Sequence, residues 1–169
     1  MNLNNLDLLP YGTRVIIDSN IFMYAALFHP VFGETCRTFL KKVESGEIGG
    51  YVPTTVLNEV LYRFMITELI EKKIGKTTSD VIHKVKNSSD LLKVLEKTWI
   101  NLDYIYQMEC KIITEKEDTF SLSLGIIKGF QLLPKDAFIV AYAKSYNLTN
   151  IVSNDRDFNR IPWLSQWHP

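Results

Sequence analysis

Two periods of apolar and polar positions run along this chain, and the switches between them mark its elements. Arg14-Val15-Ile16-Ile17-Asp18 carries three β-branched residues without polar alternation, the pattern of a strand buried on both faces in a parallel sheet. Asp18-Ser19-Asn20, each able to cap a helix, leads into apolar Ile21 to Ala26, so strand passes to helix through a short turn. A second helix fits Glu34 to Ser45, with Cys36, Phe39, Leu40 and Val43 on one side and Gly46 as its stop. Tyr51-Val52-Pro53 predicts a short strand broken by proline. Thr54-Thr55 then cap a long helix to about Lys73, where Ile74-Gly75 ends it; Val56, Leu57, Val60, Leu61 and Phe64 follow the helical period.

From Thr77 to about Gln107 the pattern is again helical, with a new N-cap expected around Asn87-Ser88-Ser89. Cys110 to Thr114 is a candidate strand. Glu115 to Gly129 predicts a helix with an acidic first turn, which the macrodipole favours. Pro134-Lys135-Asp136 opens a helix to about Tyr146, ended by Asn147. Leu148 to Val152 is a further buried strand, followed by the polar turn Ser153 to Asp157. The alternation predicts one α/β domain, residues 1–169, with a core over 14–161 and a mostly parallel sheet. The stretch from about 65 to 107 reads as a helical elaboration on it.

Composition narrows the class. At 46% apolar the chain can bury a sizeable core, which excludes a disordered or collagenous protein. Nineteen basic residues balance nineteen acidic ones, so no global field draws it to polyanions, and any it binds must meet a local patch or metal ions. Cys36 and Cys110 have no Cys or His at zinc-ligand spacing and read as buried small hydrophobes. The first dozen residues lack the basic and apolar regions of a leader, and no apolar run approaches the ~20 residues that span a bilayer, so a cytoplasmic protein without a membrane role is expected.

Sites in open α/β sheets form outside the carboxyl ends of the strands. Asp18 closes the first strand, Asp155 follows the last, and Asp136 lies in the first turn of the final long helix. Glu59, off the centre of its helix's apolar stripe, can face a cleft at the sheet edge. Singly these are ordinary caps, turn formers and solvated charges. Together they are not, because clustered carboxylates raise one another's pKa unless a cation sits among them. Oxygen donors without His or Cys select hard ions such as Mg²⁺ or Mn²⁺, whose chemistry is hydrolysis or transfer at phosphate.

At these residues the chain resembles the PIN-domain ribonucleases. Val15-Ile16-Ile17-Asp18-Ser19-Asn20 is similar to their opening motif, and Val56-Leu57-Asn58-Glu59-Val60 to the intervening glutamate motif. Leu133 to Ala143, around Asp136, resembles the third acidic motif, and Ile151 to Phe158, around Asp155, the last. The resemblance spans residues 14 to 161. It implies a Rossmann-like α/β/α fold and an endoribonuclease using one or two Mg²⁺ or Mn²⁺ ions, with water activated by the metal attacking the phosphate in line. By motif position Asp18, Glu59, Asp136 and Asp155 would form the acidic pocket, with Asp157 as an outer contributor. Ser19, Asn20, Ser153 and Asn154 would orient ligands or waters from behind them. Arg14, Arg63, Lys135 and Arg156, with Lys144 and Arg160, lie near the motifs and are candidates for RNA phosphate contacts. Many members are VapC-type toxins held inactive by a VapB antitoxin and dimerising through helices, which makes an RNA substrate, a VapB-like antitoxin and a second copy of the chain the implied partners.

The competing reading is a catalytically quiet PIN-fold RNA-binding or assembly module; four retained acidic positions argue against it. A receiver or phosphatase domain would need an Asp-x-Asp pair after the first strand, which is absent. Gly75-Lys76-Thr77-Thr78 resembles the end of a P-loop, but Ile70 stands where that motif requires glycine, so a helix-to-helix turn is expected. Gly125 and Gly129 have the spacing of close helix packing.

Overall fold

The computed structural model describes residues 4–169; Met1 to Leu3, the start of the segment read above for a leader, lie outside the described residues. The strands are β1 (Asn4–Asn5), β2 (Arg14–Ile17), β3 (Gly49–Pro53), β4 (Lys111–Ile113), β5 (Asn150–Val152) and β6 (Ser165–His168). They form one sheet in the order β1-β6-β5-β2-β3-β4, and every pairing is parallel. The β-branched run of β2 explains its place: Val15, Ile16 and Ile17 are fully buried between β3 and β5. The chain leaves β2 toward β3 on one side and returns to β5 on the other, so strand order reverses beside β2, where sites form in sheets of this kind.

Helix α1 (Ser19–Ala26) packs on both α2 (Gly33–Glu44) and α3 (Thr54–Glu71), and α6 (Thr119–Phe130) on α7 (Pro134–Ser145). Gly46, at φ +74°, stops α2 as expected. Helices α4 (Thr78–Asn87) and α5 (Lys97–Gln107) make the elaboration, joined by a 3-10 segment, Ser89–Val94. Leu69, Val81 and Leu95 give it a small core of its own, separate from the sheet's. A Cβ on Gly75 would stand 2.6 Å from Val81 Cγ2 and 2.9 Å from its backbone nitrogen, so glycine there serves the α3–α4 turn. No helix of the described residues is long and apolar enough to cross a membrane.

Several local expectations are corrected. Pro53 does not break its strand; it pairs with Ile113 as the last residue of β3 and doubles as the N-cap of α3, where a missing N–H costs nothing. Thr54 and Thr55 therefore lie inside the helix, and neither caps it. Helix α6 begins at Thr119, not Glu115, and has no acidic first turn, because the Lys116 amide donates to Thr119 Oγ1 at 2.9 Å and holds the preceding residues in a turn. Ser88 makes no side-chain cap. Cβ atoms on Gly125 and Gly129 would meet nothing within 4 Å, so these glycines do not admit a neighbouring helix. Cys36 is fully buried, and burial pushes its thiol up to about 12; Cys110 is only half-buried. Strands β1 (Asn4-Asn5) and β6 (Ser165-Gln166-Trp167-His168) carry no apolar run by which sequence could mark them.

Candidate active site

Asp18 follows the last residue of β2 and caps α1, so one residue ends the strand, starts the helix and faces the cleft. It is 3% exposed, with both oxygens engaged. Oδ1 accepts the Ser19 amide at 2.7 Å; Oδ2 accepts Asn20 Nδ2 at 2.6 Å and the Ser153 hydroxyl at 2.7 Å. Burial pushes its pKa up, aided by the charge of Glu59 and opposed by Ser153, Lys135 and the Ser19 amide. Ser153, the first residue after β5, also accepts from Asn20 Nδ2 at 3.1 Å and from the Asp155 amide at 3.0 Å. That hydroxyl ties the ends of β2 and β5 together.

Asp155 caps the short 3-10 turn Arg156–Arg160 by accepting the Asp157 amide at 2.9 Å. Asp136, in the first turn of α7, is 8% exposed. Its pKa rises to about 6, first through burial and then through the negative charges of Asp155, Asp18 and Asp157, with Lys135 opposing. Glu59 enters from the second turn of α3. Its Oε1 accepts Lys135 Nζ at 2.7 Å and lies 3.7 Å from Arg63, while Oε2 is buried with no hydrogen-bond partner among the described residues.

Asp18, Ser19, Asn20, Glu59, Arg63, Lys135, Asn154, Asp155 and Arg156 line one open cleft of about 600 Å³. Ser153 lies beneath it. Asp157 stands aside, paired with Arg160 at 2.9 Å, and acts on Asp136 through its charge. Three candidates for phosphate contact are not brought here. Arg14 starts β2, roughly 13 Å of strand from Asp18, where it donates to the Tyr146 carbonyl and lies over the Tyr51 ring. Lys144 sits in the last turn of α7, about 12 Å along the helix from Asp136. Arg160 is spent on Asp157 and the Gln131 carbonyl.

Two residues that sequence reasoning passed over complete the frame. Tyr24, one helical turn after Asn20, lines the cleft and accepts Asn154 Nδ2 at 3.2 Å; its i+4 spacing was the available signal. Gln166, 4% exposed on β6, donates to the Ser153 carbonyl at 2.9 Å and the Asp155 carbonyl at 2.6 Å, clamping the loop that carries Asp155. Nothing near it in sequence marks it.

Among the described residues no three of His, Cys, Asp and Glu converge tightly enough to hold an ion outright. The donor set nevertheless fits a hard cation: all its ligating atoms are oxygens, Glu59 keeps an unpartnered buried oxygen, and Asp136 is held in a site short of positive charge. An apolar cavity of about 240 Å³, lined by Phe22, Phe64, Tyr104 and Ile105 among others, lies between α1, α2, α3 and α5. It gathers no carboxylates, so the acidic cleft is the candidate site.

Residues 15–164 match the PIN domain family. Over 153 residues the chain is 29% identical to Ribonuclease VapC2 of Methanocaldococcus jannaschii, covering 89% of this chain and 91% of that protein. It superposes on a chain of the VapBC2 structure from Rickettsia felis bound to a DNA fragment from their promoter at TM-score 0.60 and 19% identity, over 92% of this chain and 98% of that one. VapC20 of Mycobacterium tuberculosis, a sarcin-ricin loop cleaving toxin, gives TM-score 0.58 and 10% identity, over 89% and 97%. At these identities the two structures establish likeness of fold.

Proposed function

The chain belongs to the PIN-domain family, and from that premise we propose that it is an endoribonuclease hydrolysing RNA phosphodiester bonds with Mg²⁺ or Mn²⁺, the toxin of a VapBC-type pair. One observation carries the reading: Asp18, Glu59 and Asp155 line one cleft where strand order reverses, Asp136 lies near enough to feel the charges of Asp18 and Asp155, and a buried oxygen of Glu59 is left unpartnered. A stability-driven fold would not bury Asp18 and Asp136 against their own desolvation with two further carboxylates beside them. The relative named Ribonuclease VapC2 supports the choice of RNA.

Asp18, Glu59, Asp136 and Asp155 supply the oxygens that would hold the ion, with Asp157 behind Asp136. Bound there, a divalent cation supplies Lewis acidity, lowering the pKa of a water and offsetting charge on the phosphoryl oxygens. Ser19, Asn20, Ser153 and Asn154 fix the carboxylates and the loop after β5, so the donors are set before substrate arrives. Arg63, Lys135 and Arg156 stand at the cleft to meet phosphates. The toxin–antitoxin complexes among the structural neighbours support an antitoxin partner. Exposed Phe120 and Leu124, one turn apart on α6, offer a face for a second copy of the chain.

The test is incubation of a mixed structured-RNA pool with purified protein in Mg²⁺, Mn²⁺ or EDTA. Cutting with either metal and none in EDTA supports the proposal; intact RNA under every metal, from folded protein, refutes it. Asp136 adds a pH signature. Its folded pKa is raised, so its stabilising contribution is fully present below the ordinary aspartate pKa and is lost as pH rises from there through about 6. The melting temperature of metal-free protein should therefore fall across that interval, and Mg²⁺ should raise it more above pH 6 than below. Melting curves from pH 4 to 8 that show no such difference would count against a charge-starved cleft.

A further inference from the structure

We infer that Lys135 is a built-in counter-cation of the acidic cleft: its ammonium holds Glu59 in the metal-free protein and competes with a divalent cation for that carboxylate. This rests on the proposed reading of the cleft as a cation site. Pro134 occupies the first turn of α7 and fixes where the helix starts. Successive helical residues point about 100° apart, so Asp136 turns inward while its neighbour Lys135 swings outward over the cleft. There Nζ meets Glu59 Oε1 at 2.7 Å, across 76 residues of sequence.

The alternatives for Glu59 are poorer. Arg63 is 3.7 Å from the same oxygen, and Oε2 has no hydrogen-bond partner among the described residues. The carboxylate thus has one close hydrogen bond, from Lys135, with Arg63 more distant on the same oxygen and the other oxygen unpartnered. A divalent cation brings twice that charge and can take both oxygens, so the two cations cannot share Glu59 without repulsion. Lys135 also acts beyond its partner, since its charge opposes the upward pKa shifts of both Asp18 and Asp136. Stability does not explain the pair: Lys135 is 50% exposed, and ion pairs so open to water stabilise a fold little. Its consequence falls on the charge of the cleft, and the same exposure lets Lys135 be replaced without unfolding the chain.

The experiment titrates Mn²⁺ into the metal-free full chain by calorimetry, beside Lys135→Gln, Lys135→Arg and Lys144→Gln, with melting temperature recorded at each metal concentration. Lys135→Gln should bind Mn²⁺ about tenfold more tightly than the native chain, on the scale of one unit charge removed a few ångströms from the ion. It should also show a larger Mn²⁺-induced rise in melting temperature. Lys135→Arg should bind as the native chain does. Lys144→Gln removes an equal charge from the far end of α7 and should change nothing. Equal or weaker binding by Lys135→Gln overturns the inference while leaving the metal site standing, and so does tightening by Lys144→Gln to the same degree. Absence of Mn²⁺ binding by all four folded proteins overturns both the inference and the metal reading beneath it.

Discussion

Asp136→Asn protein is expected to lose RNA cleavage by at least about 100-fold while keeping its fold. The side chain is 8% exposed, and burial together with the charges of Asp155, Asp18 and Asp157 pushes its pKa up to about 6. At neutral pH it is therefore a carboxylate ionised at some cost, which a cation in the cleft would relieve. Asparagine has nearly the same shape and no charge, so the variant removes a donor to the ion without opening a void. Asp18→Asn should match it in lost activity and also melt lower, because its new amide must face two donors, Asn20 Nδ2 and the Ser153 hydroxyl, that now bond Oδ2. Single-turnover cleavage and metal-free melting curves separate the two effects. Cleavage by Asp136→Asn within about threefold of the native rate would remove the residue from the chemistry.

Glu68→Ala is expected to destabilise the chain by on the order of 3 kcal/mol without touching the cleft. Glu68 lies on α3, 2% exposed, and caps a helix that is not its own. Its Oε1 accepts the backbone amides of Glu96 and Lys97 at 2.9 and 3.1 Å; its Oε2 accepts the Thr98 amide and hydroxyl, each at 2.8 Å. These are the first amides of α5, which has no cap from its own N-cap residue. Burial pushes the Glu68 pKa up, but the four hydrogen bonds outweigh it and hold the group near 2. A depressed carboxylate pKa stabilises above the ordinary glutamate range, and that contribution is lost as pH falls toward about 2. Chemical denaturation at pH 7 and pH 3 checks both parts. Over that range acidification should be less favourable to the native chain than to Glu68→Ala, by the Glu68 contribution alone; equal changes in the two proteins would mean that the cap does not titrate as stated.

Much of the candidate site could be read from the chain alone because its acidic residues sit where local structure changes. Asp18 ends a β-branched run, Asp136 follows Pro134 at a helix start, and Asp155 opens a polar turn after buried Ile151 and Val152. Strand ends and helix starts are local events set by residues a few positions apart, so pattern finds them. Glu59 was harder, since glutamates on helices are common; its buried unpartnered oxygen and its contact with Lys135 separate it from a solvated charge only once the fold is in place.

Arginine and lysine positions show the opposite case. Arg14 lies four residues from Asp18 in sequence yet at the other end of its strand, whereas Arg63 and Lys135, on two different helices, meet over one carboxylate. Gln166 and the Glu68 cap likewise depend on partners 11 to 30 residues away. By itself the sequence determined how the inner strands and helices alternate, where the strands ahead of Asp18 and Asp155 end, and so which carboxylates stand at the sheet's carboxyl edge. Only the tertiary structure decided which cations face them, which glutamine clamps the last loop, and which glutamate caps α5. The reason is the range of the forces involved. Backbone preference and hydrophobic period act over a few residues, while a hydrogen bond or ion pair between distant segments exists only once burial of the shared core has set their separation.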